Sequence, residues 1–194
     1  MKYRIDLKVD SPQEWVDAVL GDFNAFLQDH ANCERKASGM ALSFVAKYPD
    51  RKEILQELID ISIEELEHFK DVYSIMEARG VSFTHVIPKD IYIDQLLKGC
   101  RHGREQRFMD MLLLASLVET RGAERFKLIY EHLDDEELKE FYHRLWASEA
   151  RHGEVFVRMA LNYFDEQSVY SRLGEMTDFE ANVVKDLPIK AALH

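Results

Sequence analysis

The 194-residue sequence predicts an all-α chain built around a four-helix bundle. Three observations carry that prediction. Through four long segments, apolar residues recur at alternating steps of four and three, the spacing of a helix that buries one stripe against its neighbours. Start and stop signals for helices bracket those segments. Alternation with a period of two, the mark of a half-buried strand, is scarce.

The elements follow in chain order. Ser11-Pro12-Gln13-Glu14 reads as a capping box with proline at the first helical position, and Asp29 offers a second start before HANCERKASGMALSFVAKY. Asp50 with Glu53 opens the next helix, which Gly80 closes after Arg79. Residues 80 to 103 make a long crossover that contains Pro88 and one short helix around DIYIDQLLKG. Helices near 104 to 132 and 135 to 164 come next, joined through Asp134-Asp135. The tail, 165 to 194, is expected to hold one or two short helices and a frayed end. We read residues 1–194 as a single domain with its core at about 12–164.

The seams of the four long helices coincide. Ile54, Leu58, Ile61, Glu65, His68, Val72 and Ile75 step by 4,3,4,3,4,3, and Leu138, Tyr142, Leu145, Glu149, His152, Phe156 and Met159 step identically. Phe23, Leu27, His30, Glu34, Ala37, Ala41 and Phe44 form the seam of the first long helix. Phe108, Leu112, Ala115, Glu119, Gly122, Phe126 and Ile129 form that of the third. Glu34 and Glu119 are 85 residues apart, while Glu65 and Glu149, like His68 and His152, are 84 apart. The chain is thus an internal repeat of a helical hairpin.

Those polar residues define the candidate chemistry. A buried carboxylate costs several kcal/mol unless something positive compensates it. No lysine or arginine lies on these seams to do so. Residues three apart on a helix stand one above the other, so Glu65 with His68, and Glu149 with His152, can reach a common ion. Glu34 and Glu119 complete a set of four carboxylates and two imidazoles, whose charge balances two divalent cations. One glutamate on each of two helices and Glu-x-x-His on the other two is the pattern of carboxylate-bridged di-iron or di-manganese centres in ferritin-like bundles. Carboxylate and imidazole without thiolate suit iron or manganese; iron is our choice. Ala37 and Gly122, one turn past the single glutamates, leave room for dioxygen or substrate.

A third Glu-x-x-His, Glu140 with His143, begins nine residues before Glu149, about half a turn round the helix at 100° per residue, and is expected to face solvent. His30, one turn before Glu34, reads as a hydrogen-bonded core histidine in preference to a seventh ligand. Tyr142 reads as packing. By itself, the ligand pattern leaves open a hydroxylase, an iron store, an oxidase and a catalase.

DHANCERKAS (29 to 38), ISIEELEHFKDVYSIMEARGV (61 to 81), DMLLLASLVETRGAERF (110 to 126) and HLDDEELKEFYHRLWASEARH (132 to 152) resemble the tRNA hydroxylases of the MiaE type. The resemblance covers about residues 12 to 163 and implies a nonheme di-iron monooxygenase that uses dioxygen to hydroxylate the isopentenyl group of 2-methylthio-isopentenyl-adenosine beside the anticodon. It also implies that Glu34 and His68 hold one iron and Glu119 and His152 the other, with Glu65 and Glu149 bridging. A di-iron hydroxylase of another small substrate and a ferritin-like ferroxidase or iron store are the alternatives.

Composition bounds the partners. Apolar runs fall short of the roughly 18 to 20 residues that span a bilayer, and MKYRIDLKVD lacks the pattern of a signal peptide, so a cytoplasmic protein without membrane contact is expected. Cys33 and Cys100 form no CxxC pair and read as ordinary thiols. A net charge of −11 disfavours nucleic acid on average. Lys98, Arg101, Arg104 and Arg107, with His102, nevertheless make a basic run for an anticodon stem-loop, and Arg121 and Arg125 continue it along the same helix. The reaction also requires an electron donor, which the sequence does not identify.

Overall fold

The structure is a computed structural model that describes Tyr3, residues 5–83 and residues 89–194; Pro88 lies outside the described residues. Among them the chain is all-α, with α1 (Gln13–Gly21), α2 (Phe23–Lys47), α3 (Lys52–Ala78), α4 (Ile91–Lys98), α5 (Arg104–His132), α6 (Glu136–Leu161) and α7 (Glu166–Asp186). None of these helices is long and apolar enough to cross a membrane. Residues 17–89 with 190–193 form one compact unit, and residues 1–16, 90–189 and 194 form another.

The first unit is the α2–α3 hairpin. The expected start at Asp29 gives way to Asp22, whose side chain accepts the Ala25 N–H at 3.0 Å. Phe26 and Leu27 are fully buried, so the apolar stripe has surface to cover well before Asp29. Asp29 instead sits inside the helix, where its carboxylate accepts the Leu193 N–H at 2.7 Å. Asp50 does not cap α3 either: the cap is Arg51, which makes no side-chain capping bond, and Glu53 lies in the first turn, where its charge suits the helix dipole. Gly80 ends the helix as expected. Its φ of 67° is one that glycine adopts without strain, while its N–H reaches Glu77 O at 3.0 Å and that of Val81 reaches Met76 O at 2.8 Å. Ser38 and Ser62 join the two helices reciprocally, Ser38 Oγ donating to Ser62 O at 2.8 Å and Ser62 Oγ to Ser38 O at 3.0 Å.

The second unit centres on the α5–α6 hairpin. Asp135 caps α6 by accepting from the N–H groups of Glu137 and Leu138, and the helix ends at Leu161, three residues short of 164. Helix α5 buries more than one face: Leu112, Leu113, Leu114, Ala115, Ser116 and Leu117 are all buried in succession. Helix α7, which packs on α4, α5 and α6, is the reason. The tail is therefore one 21-residue helix capped by Asp165, not one or two short ones. Its buried Val169, Leu173, Met176, Glu180 and Val184 keep to steps of three and four, so it has its own apolar stripe to bury.

Candidate metal centre

Each hairpin brings its own three ligand candidates together. In the α2–α3 unit, ligand atoms of Glu34, Glu65 and His68 lie within 4.8 Å of one another. His68 Nδ1 stands 3.3 Å from Glu65 Oε2 and 3.7 Å from Glu34 Oε2. In the α5–α6 unit, ligand atoms of Glu119, Glu149 and His152 meet the same 4.8 Å limit, and His152 Nδ1 is 3.6 Å from Glu149 Oε2. The helices explain both arrangements: an i, i+3 pair supplies two donors from one face, and the antiparallel partner supplies the third.

Burial sharpens the chemistry. All four glutamates and His152 are buried, and His68 retains 13% of its side-chain exposure. Carboxylates are acceptors only, so each cluster gathers negative charge where water cannot screen it. A divalent cation would compensate that charge, and a donor set of oxygen and imidazole nitrogen without thiolate suits iron or manganese. The residues present fit such a group. Gly122 is buried, yet a Cβ built on it meets no heavy atom within 4 Å, which preserves the open space expected beside Glu119. Ala37 is half-buried.

The control motif behaves as expected: Glu140 and His143 are exposed, and Glu140 pairs with Arg144 at 3.7 Å. His30 is fully buried and its Nε2 lies 2.6 Å from Glu34 Oε1, a partner of a ligand candidate. Tyr142 packs against Phe126, ring centroids 5.6 Å apart.

The basic run divides. Lys98, His102 and Arg104 are exposed and Arg107 is half-buried. The Arg101 guanidinium lies against the buried Asp110, Nη2 to Oδ1 at 2.6 Å, while Arg172 reaches the same carboxylate from α7 at 2.9 Å. Arg121 and Arg125 do not continue the run, because both are buried. Arg121 Nε donates to Glu180 Oε1 at 2.9 Å, Nη1 to Glu124 Oε2 at 3.0 Å and Nη2 to Val9 O at 2.8 Å. Arg125 Nε donates to Ser11 Oγ at 3.1 Å and its guanidinium stacks over Trp15. Burial pulls the Arg121 pKa down, but the bond and charge of Glu180 outweigh it and leave it raised. Burial, then the neighbouring Glu180 charge, pushes the Tyr92 phenol well above its ordinary value.

Sequence reasoning missed the contact that brings α5 and α6 close. Ser116 Oγ donates to Gly153 O, and Thr120 Oγ1 donates to Ser116 O at 2.7 Å. A Cβ on Gly153 would stand 2.6 Å from Thr120 Oγ1. The signal was a glycine directly after the ligand candidate His152, in a helix otherwise free of glycine.

Comparison with known proteins identifies the family and the fold. The family described as tRNA-(MS2IO6A)-hydroxylase (MiaE) matches residues 2–194. A Pseudomonas putida protein named tRNA 2-(methylsulfanyl)-N(6)-isopentenyladenosine(37) hydroxylase is 37% identical over 159 residues, covering 82% of this chain and 77% of the relative. A Salmonella typhimurium protein of the same name is 24% identical over 227 residues, with 92% of this chain and 83% of the relative covered. Among solved structures, Protein 43 with aldehyde deformylating oxygenase activity from Synechococcus superposes with a TM-score of 0.92 at 30% identity, covering 100% of this chain and 96% of that chain. The fold class is all-α and ferritin-like, as the seams predicted.

Proposed function

We propose a mechanism from the premise that this chain belongs to the MiaE family of tRNA hydroxylases, which matches it over residues 2–194. The protein is an enzyme, a hydroxylase of the isopentenyl group of 2-methylthio-isopentenyl-adenosine in tRNA. The observation that carries the mechanism is the pair of buried three-residue clusters, one per hairpin, each with two carboxylates and an imidazole.

In this reading residues 1–194 work as one domain and two irons would be held by Glu34, Glu65, His68, Glu119, Glu149 and His152. Manganese is the other metal the donors accept. When bound, the irons would supply the reductive activation of dioxygen and the delivery of one oxygen atom to a C–H bond, with electrons from a separate donor. The chain's own residues position and shield. Buried seam residues, Ala41 on α2 and Leu112 and Phe126 on α5, would keep water from the ligand cluster of their own hairpin. Lys98, Arg104 and Arg107 contact phosphates of the anticodon stem-loop, and Arg101 joins them with its guanidinium held in one orientation by Asp110. A tRNA substrate places the reaction in the cytoplasm.

The test incubates reduced, iron-loaded protein and dioxygen with tRNA carrying the methylthio-isopentenyl base, then weighs the digested nucleosides. One added oxygen is expected on that base, and none in Glu119→Ala. Iron content should approach two per chain, drop sharply in Glu65→Ala and Glu149→Ala, and hold in Glu140→Ala and His143→Ala. Removing Arg101 and Arg104 together should weaken tRNA binding and flatten its salt dependence, because fewer phosphates are neutralised. A second reading, an oxygenase of a small apolar substrate, is favoured by the aldehyde deformylating oxygenase activity named for the Synechococcus protein. It gains if the irons react with dioxygen, the tRNA base stays unoxidised and an aldehyde is consumed.

A further inference from the structure

We infer that Arg172, on α7, is a positioning residue for tRNA binding, which fixes the loop between α4 and α5 so that Arg101 meets a phosphate. The inference rests on the reading above, in which Lys98, Arg101, Arg104 and Arg107 contact the anticodon stem-loop. Residues 99–103 join α4 to α5. Two backbone groups of this loop are held from outside it: the Arg101 N–H donates to Asp110 Oδ2 at 2.8 Å, and Arg172 Nη2 donates to the Gly99 carbonyl at 2.6 Å. Gly99 also lies against the Phe179 ring, which is 2.8 Å from where a Cβ on Gly99 would stand. Helix α7 therefore seats the start of the loop twice, through a guanidinium and through a ring.

The two arginines that share the buried Asp110 differ in what they have left to offer. Arg172 Nε and Nη2 donate to the two carboxylate oxygens at 3.1 and 2.9 Å, and Nη1 donates to Glu175 Oε2 at 2.7 Å. All three nitrogens are engaged and the side chain is 16% exposed, so Arg172 presents no open edge to a phosphate. Arg101 spends Nε and Nη2 on Asp110, at 3.1 and 2.6 Å, while Nη1 makes no hydrogen bond among the described residues and the side chain is 37% exposed. The Nη1 edge is what the loop offers to RNA. A guanidinium is a planar fork, so fixing two of its nitrogens aims the third. Without Arg172 the Gly99 carbonyl loses its donor and the Asp110 carboxylate is free to turn, and the Nη1 edge must then be ordered at the moment of binding, at a cost in affinity.

A double-mutant cycle tests this, read as the affinity of the iron-loaded protein for an anticodon stem-loop that carries the methylthio-isopentenyl base. Arg101→Ala and Arg172→Ala should each weaken binding about tenfold, the scale of one charge-assisted hydrogen bond. Because Arg172 acts through Arg101, the double variant should bind within about twofold of Arg101→Ala alone. Arg172→Lys, which keeps a charged donor for the Gly99 carbonyl, should recover part of the loss. In turnover of the whole tRNA the Arg172→Ala effect should fall on KM and spare kcat. A double variant about a hundredfold weaker than wild type overturns the inference, since the two arginines then act independently. So does an Arg172→Ala protein that binds like wild type while Arg101→Ala does not. If Arg101→Ala itself leaves binding unchanged, the basic run is not the RNA contact and the inference falls with that reading. Circular dichroism checks the fold of the variants; should Arg172→Ala fail to fold, Arg172→Lys closes the cycle in its place, with a loss in affinity that must vanish in the Arg101→Ala background.

Discussion

Ser38 and Ser62 clasp α2 to α3 by exchanging hydrogen bonds between side chain and backbone, whereas α5 and α6 meet where Gly153 lets the helices approach Thr120 and Ser116. The two hairpins carry the same ligand pattern at offsets of 84 and 85 residues, yet Ser38 and Ser62 correspond to Ala123 and Trp146, and Gly153 to Phe69. Their outer support differs as well. Helix α5 is backed by α7 through Arg121–Glu180 and Asp110–Arg172, while among the described residues α2 and α3 bury no arginine. What repeats is the spacing of donors along each helix. The means of holding two helices at the right separation is solved locally, by hydroxyl exchange in one hairpin and by a missing side chain in the other.

The comparison breaks most severely at Glu180. Glu180→Ala leaves the fully buried Arg121 guanidinium without its bidentate partner, and such a loss costs about 3–5 kcal/mol. Urea unfolding should show that drop. A loss below about 1 kcal/mol, the scale of an exposed pair, would mean that α7 is an ornament on α5 and not its support.

The clasp comes next. Gly153→Ala sets a methyl 2.6 Å from Thr120 Oγ1 and 3.4 Å from Ser116 O, and the Thr120 hydroxyl is already committed to Ser116 O. Overpacking of this kind costs about 1–3 kcal/mol, against a gain in helix propensity of about 1 kcal/mol. Gly122→Ala, where no atom lies within 4 Å, should show only the gain. Thermal melts of the two variants should therefore move apart, and adding Thr120→Ala to Gly153→Ala should recover part of the loss. Equal melting temperatures would remove the close approach as the device that joins α5 to α6.

The same two hairpins show what sequence reading reaches. The six ligand candidates were legible because a seam of steps four and three tolerates so few polar residues that Glu65, His68, Glu149 and His152 stand out, and the repeat doubles the signal. The solvent-facing fate of Glu140 and His143 followed from helical phase alone. Phase also placed Phe23 and Leu27 on the seam, which outranked the cap signal at Asp29. What stayed hidden depends on partners far apart in the chain. Arg121 reads as a surface cation until Glu180, 59 residues later, lies beside it. The tail reads as short helices until α5 is seen to need a second cover, although the run from Leu112 to Leu117 is apolar or small on every side and hinted at burial all round.

Asp110 sharpens the comparison with the smallest effect, and through pH. Burial pushes its carboxyl up, but hydrogen bonds from Arg101 and Arg172, with the Arg101 backbone N–H at 2.8 Å, outweigh it and hold the pKa below the ordinary 3.8. A depressed carboxyl stabilises the folded state above the unfolded value, and that contribution disappears as pH falls through the folded one. The stability difference between wild type and Asp110→Asn should therefore be constant near neutrality and shrink from about pH 4 downward. Because burial opposes the hydrogen bonds, the change is smaller than the effects at Glu180 and Gly153. Urea midpoints of both proteins, measured at matched pH, isolate it, since every other carboxylate titrates alike in the two. The α2–α3 hairpin supplies the contrast: Ser38→Ala removes the neutral hydrogen bond to Ser62 O, about 1 kcal/mol, and that loss should not vary with pH. A difference for Asp110→Asn that stays flat down to about pH 3 would show that Arg101 and Arg172 do not hold the carboxylate charged, and that α7 is anchored on α5 through Arg121 alone.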